Sequence, residues 1–259
     1  MDFDYKKPSH LFALLLILVT FAFIIVMPYL SFFGIISSTQ TTSDIGNLSE
    51  SVFFQIYLLV FQLLLVIGLL IIIPIIWYYI VNRYDLKKIF EKLKLTSENI
   101  DIAFLWGIVT VIIIFLIFFA IEFLLIILGI NPDDLGNIQD LENFFTPASL
   151  FILVSVQPIA EEIFFRGFLL DKIGSFAGQN IAIFSTAVLF GLAHMSYGKV
   201  YPVLFPMIMG VLLAYVVIKT RNIYASIFAH ISFNVISFII YFWHFCSVVC
   251  LGPCILAMF

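Results

Sequence analysis

Charge is what this chain has least of. Only 11% of its 259 residues are Asp, Glu, Lys or Arg, where a soluble domain carries roughly 25%. So little charge cannot clothe a water-exposed surface, which excludes a soluble domain. Of the twelve basic residues all but Arg166 are dispersed among loops and span ends, and no nucleic-acid partner is expected. Cysteine is also scarce. Cys246, Cys250 and Cys254 all lie near the C-terminal end at i, i+4, i+8, a helical stripe read as small buried hydrophobes. No internal repeat breaks the chain into units.

In place of charge there are long apolar runs. The chain is 63% hydrophobic with mean hydropathy +1.18, and several runs reach the 18 residues that crossing a bilayer requires. The expected fold is all-α: one polytopic membrane bundle of seven to eight transmembrane helices. Spans are expected at about 11–33, 52–81, 102–130, 147–173, 180–195, 200–218 and 223–243. The stretch 246–259, broken by Gly252-Pro253, is left open between a final short span and a hairpin edge. Residues 1–101 form N-terminal helices and a basic loop, and 102–245 a core. Within 82–101, Leu86, Ile89, Phe90 and Leu93 are expected on one side of an amphipathic surface helix. Pro74 marks a bend in the second span.

Loop charges orient the bundle. The N-terminus, the 82–101 loop, the Asp171-Lys172 region and the Lys219/Arg221 loop hold 10 of the 12 basic residues. They alternate with two loops, 37–51 and 131–146, that hold acids and no base. Basic loops stay inside, so the N-terminus is expected in the cytoplasm, with Lys199 the exception outside. The expected location is a prokaryotic plasma membrane, with membrane lipid as the surrounding partner.

Against this background Glu161-Glu162-Ile163-Phe164-Phe165-Arg166 stands out. Ionisable groups at membrane depth are costly, and they mark functional sites or buried pairs. Glu162 and Arg166 are i,i+4 and share a helix face, so they are expected to pair. Glu161 points about 100° away and is expected to have no partner within its own helix. Two of the four histidines that could meet it stand inside spans: His194 in the fifth, and His230 in the seventh with Asn234 four residues on. At ~1.5 Å rise per residue the three groups sit roughly 13 to 24 Å from one end of their helices, similar enough to share a pocket. Gln55, Gln62 and Gln157 are read as helix–helix hydrogen bonds.

A carboxylate, two imidazoles and an amide are what hydrolysis of an amide bond needs: a base for water, a group to orient it, and donors for the oxyanion. Other intramembrane chemistries lack their parts. There is no His-Glu-x-x-His, no Gly-x-Ser-x-Gly and no pair of intramembrane aspartates. A transporter or proton relay would use similar groups, but the halves of the chain do not repeat. Glu161, His194 and His230 could alternatively form a two-histidine, one-carboxylate zinc site.

Glu161-Glu162-x-x-x-Arg166, Phe190-x-x-x-His194 and His230-x-x-x-Asn234 resemble, in order, the three motifs of the CPBP intramembrane proteases. These include the type II CAAX prenyl endopeptidases and bacterial abortive-infection and bacteriocin-immunity proteins. The resemblance covers about residues 102–245. It implies an intramembrane endopeptidase in which Glu161 and His194 activate water, His230 and Asn234 form the oxyanion pocket, and Glu162 and Arg166 support them. It also implies a lipid-modified or membrane-bound protein or peptide as substrate, including prenylated CAAX proteins that lose a C-terminal tripeptide. The metal-independent glutamate mechanism is the reading preferred over zinc. The alternative within the family is a non-catalytic immunity or peptide-binding membrane protein.

Overall fold

The computed structural model describes residues 3–26, 29–30, 52–129, 145–195 and 201–256. Among these all regular structure is helical. α1 (Pro8–Phe21) continues into a π-helical turn, Ala22–Val26. α2 (Val52–Ile67) passes through a second π turn, Gly68–Ile72, into α3 (Ile73–Ile80). α4 (Leu86–Lys92) is short, and α5 (Ile100–Ile127) is long. α6 (Pro147–Glu162) runs through the π-helical segment Ile163–Leu169 into α7 (Leu170–Ala177). α8 (Gln179–Ala193), α9 (Tyr201–Thr220) and α10 (Tyr224–Leu256) complete the order. Six helical segments are long and apolar enough to cross a membrane, and α8 is a shorter apolar helix. This is the all-α polytopic bundle, and the protein is an integral membrane protein.

Local chemistry sets the boundaries. Pro147 opens α6, where a missing N–H costs nothing, and the Thr146 hydroxyl accepts from the Ser149 N–H at 3.1 Å. Gly178, at φ +89°, separates α7 from α8, a backbone state that only glycine adopts cheaply. Where a bend is expected at Pro74, the helix carries a π turn that ends two residues before the proline. Proline donates no N–H to the carbonyl four residues back, here Leu70 inside that turn.

Two expectations change. Residues 246–256 do not form a separate eighth crossing; α10 runs unbroken from Tyr224 to Leu256. α4 does not present one apolar face: Ile89 and Leu93 are buried, whereas Leu86 is 62% and Phe90 45% exposed. The helix spans only two turns and is closed by Lys94 at φ 59°. Its 89/93 pair therefore faces the bundle while the 86/90 pair faces away. The acidic loop residues 37–51 and 131–144, Lys199, and the cysteine side chains lie outside what is described.

α8 packs along α9, and α10 packs along both α5 and α6. The α8–α9 seam is tight: a β-carbon at Gly191 would fall 2.6 Å from the Val203 carbonyl oxygen, and one at Gly210 would fall 3.0 Å from Ala187 Cα. Small residues at such seams let helices approach where no hydrophobic effect drives them together. The basic stretches meet at one end. Phe3 stacks on Trp77 at 5.7 Å, the Tyr78 hydroxyl donates to Asp171 at 3.0 Å and Lys172 donates to Asn82 at 3.1 Å. The Asn222 amide donates to the carbonyls of Thr96 and Glu98, at 2.9 Å each.

Candidate active site

α6 delivers two adjacent carboxylates to two different surroundings. Glu162 and Arg166 are both fully buried, and Arg166 Nη1 meets Glu162 Oε1 at 2.8 Å. This is the i,i+4 pair expected from the spacing. The guanidinium also lies 4.2 Å from the centre of the Phe190 ring, and its Nη2 donates to the Gly210 carbonyl at 3.4 Å. A buried ion pair needs these further contacts to offset the loss of water. Behind the pair, Lys94 Nζ donates to the Arg166 carbonyl at 3.4 Å. Burial holds the Lys94 ammonium below the ordinary lysine range, with nearby Asp171 opposing that effect and Lys92 adding to it.

From α10, His230 reaches both carboxylates. Its Nδ1 lies 2.9 Å from Glu162 Oε1, and its Nε2 lies 3.8 Å from Glu161 Oε2. An ionised carboxylate only accepts hydrogen bonds, so Nδ1 is assigned the hydrogen. Nε2 is left facing Glu161. Their separation exceeds a direct hydrogen bond but closes with a shift of under ~1 Å, or by a water set off the line between them. The ring packs edge-on to Phe190, with centroids 5.6 Å apart.

Glu161 faces the other way, onto a cavity of about 330 Å³. Its polar lining includes Gln157, Glu161, His194 and Gln62, the last from α2, and Phe23 and Leu65 add apolar surface. His194 is the residue that ends α8: its backbone leaves the helical region, and its Nδ1 bonds the Phe190 carbonyl at 2.8 Å. A carbonyl can only accept, so Nδ1 carries the hydrogen and the neutral ring keeps Nε2 as an acceptor. Asn234 lies one turn along α10 from His230, half-buried, and makes no hydrogen bond to a described residue.

The structure thus joins Glu161, Glu162, Arg166 and His230 directly and sets His194 on the same cavity wall. It brings Asn234 no nearer than its helical register implies. Glu161 does have a partner in its own helix, contrary to expectation: Gln157 Nε2 donates to Glu161 Oε1 at 2.7 Å. Gln157 is therefore not a helix–helix contact, and its i−4 spacing from Glu161 was the available signal. Among the described residues no three His, Cys, Asp or Glu side chains are grouped so as to hold a metal ion, the Glu161, His194 and His230 set included.

Comparison with known sequences points the same way as the geometry. Residues 143–236 match the sequence model of the Rce1-like family, type II CAAX prenyl endopeptidases. The match runs from just before α6 into α10 and takes in all six residues singled out above, while α1–α5 lie outside it. No curated protein matches the chain, and no solved structure does. The order of the three motifs, and the meeting of Glu161, Glu162, Arg166 and His230 in the structure, agree with that match. Over this segment the chain is similar to the Rce1-like family, which supports the resemblance of its motifs to the CPBP intramembrane proteases.

Proposed function

We propose that this protein is an intramembrane endopeptidase that hydrolyses a peptide bond of a membrane-associated substrate near a lipid-modified C-terminus. Glu161 is the general base. It takes a proton from water held between its Oε2 and His194, and the resulting hydroxide attacks the scissile carbonyl carbon. The oxyanion that forms is met by His230 Nε2 and the Asn234 amide. His230 can donate there only in its doubly protonated form, with Glu162 as counter-ion. The C–N bond then breaks as the proton on Glu161 passes to the leaving amine, and water is consumed in forming the new carboxylate. Glu161, His194 and His230 are each held in advance by a hydrogen bond, and stabilisation by such preset groups is most effective in a water-poor site.

One observation carries this reading: Glu161 lies 3.8 Å from an imidazole that a second, locked carboxylate holds in place, and it opens onto a cavity shared with another imidazole. The apolar lining from α1 and α2 suits an apolar substrate group. The cluster of basic loops supports a cytoplasmic N-terminus, and with it access for substrates from that side. The hydrolysis is proposed to need no resident metal.

The test is purified full-length protein in nanodiscs with a farnesylated peptide ending in a CAAX sequence, with products identified by mass. Loss of the terminal tripeptide, unaffected by chelator and abolished by Glu161→Ala and His194→Ala, is the expected result. An intact peptide, or cleavage that survives Glu161→Ala, would overturn the proposal.

A further inference from the structure

Glu161 is a flexible side chain beside a cavity, and a base works only if one of its oxygens is aimed. The two oxygens are not equivalent. Oε1 accepts a 2.7 Å hydrogen bond from the Gln157 amide, whereas Oε2 faces His230 Nε2 across 3.8 Å. Gln157 stands one turn earlier on the same helix, is half-buried, and lines the same cavity. Amide donation to a carboxylate is among the stronger hydrogen bonds, because one partner is charged. The helix that supplies Glu161 therefore supplies its clamp too, without help from a neighbouring helix.

We infer that Gln157 is a positioning residue: its amide fixes Glu161 Oε1 and so leaves Oε2 as the atom that receives the proton from water. The inference rests on the reading of Glu161 as base. It names the oxygen that does the work, and it gives a function to an amide that helix–helix packing does not explain. Glutamine suits the place because it donates without adding a charge that would neutralise the base, as a lysine or arginine would.

The test uses the full chain in nanodiscs with the farnesylated CAAX peptide. Gln157→Met keeps the volume and removes the donor. The expected outcome is a 10- to 100-fold fall in kcat with KM within two-fold. Gln157→Asn, whose amide is one methylene short, should fall between Gln157→Met and wild type. Infrared spectroscopy supplies a readout that folding alone does not move. The carboxylate bands of Glu161, found by subtracting the Glu161→Gln spectrum, should change their splitting in Gln157→Met and not in Ser155→Ala, which alters the exposed side of the same helix. Wild-type kcat in Gln157→Met with Glu161→Gln inactive, or unmoved carboxylate bands, would overturn the role of Gln157 alone. Normal cleavage by Glu161→Gln would instead overturn the reading of the base, and the Gln157 role with it.

Discussion

The two sides of α6 hold adjacent carboxylates in different surroundings. On one, Glu162 is sealed away from solvent and shares a single oxygen between Arg166 at 2.8 Å and His230 at 2.9 Å. On the other, Glu161 keeps one oxygen on Gln157, leaves the second 3.8 Å from His230 Nε2, and lines a cavity. The two carboxylates are adjacent in sequence, so composition and depth cannot tell them apart. A rotation of about 100° per residue does. The difference teaches that the carboxylate locked by Arg166 and His230 is an anchor and the one bordering the cavity is available for chemistry.

Substitutions on the anchored side should show the largest effects. Arg166→Met removes one charge and leaves Glu162 buried without its counter-ion, a change that costs about 3–5 kcal/mol in comparable buried pairs. Poor folding and a large drop in thermal midpoint in detergent are expected, with activity lost as a consequence. An Arg166→Met protein as stable as wild type would remove the contrast between the two sides.

A smaller effect is expected where the last helix is tied down below the site. Asn222→Ala deletes both hydrogen bonds to the Thr96 and Glu98 carbonyls, for a loss of roughly 1–3 kcal/mol. Denaturation should show that loss while KM stays near wild type, since Asn222 touches neither carboxylate. Smallest of all is the effect of Lys94. Its folded-state pKa lies below that of the unfolded chain, so the unfolded state binds more protons between the two values. Stability should therefore rise with pH through that window, which lies below 10.5. Lys94→Met should flatten the rise in a pH series of thermal midpoints.

Much of the site was legible because it depends on local spacing. The Glu162–Arg166 pair follows from four residues of helix, and His230 with Asn234 from another four. The spans follow from the length of the apolar runs. What escaped was either uncharged or long-range. Gln157 satisfies the same i,i+4 rule, but an amide carries no charge to mark it as a partner for Glu161. Which carboxylate meets which ring nitrogen of His230 depends on how α10 lies against α6, and the sequence has no local signal for that. The split face of α4 escaped for a related reason: periodicity shows that four apolar residues share one side, not that a two-turn helix rests on only half of it. The 246–256 stretch read as interrupted because Gly252-Pro253 outweighed the apolar residues around it.

The central claim is that Glu161 works and Glu162 holds. It is tested most directly by cleavage rate per folded molecule, measured side by side for Glu161→Gln and Glu162→Gln. The account predicts that Glu161→Gln keeps the wild-type thermal midpoint and loses cleavage by about 10³-fold, within the range that general base catalysis supplies. Glu162→Gln should instead lower the midpoint sharply, because it leaves Arg166 buried without its counter-ion. A Glu161→Gln protein that unfolds as readily as Glu162→Gln, or that cleaves as well as wild type, would contradict it.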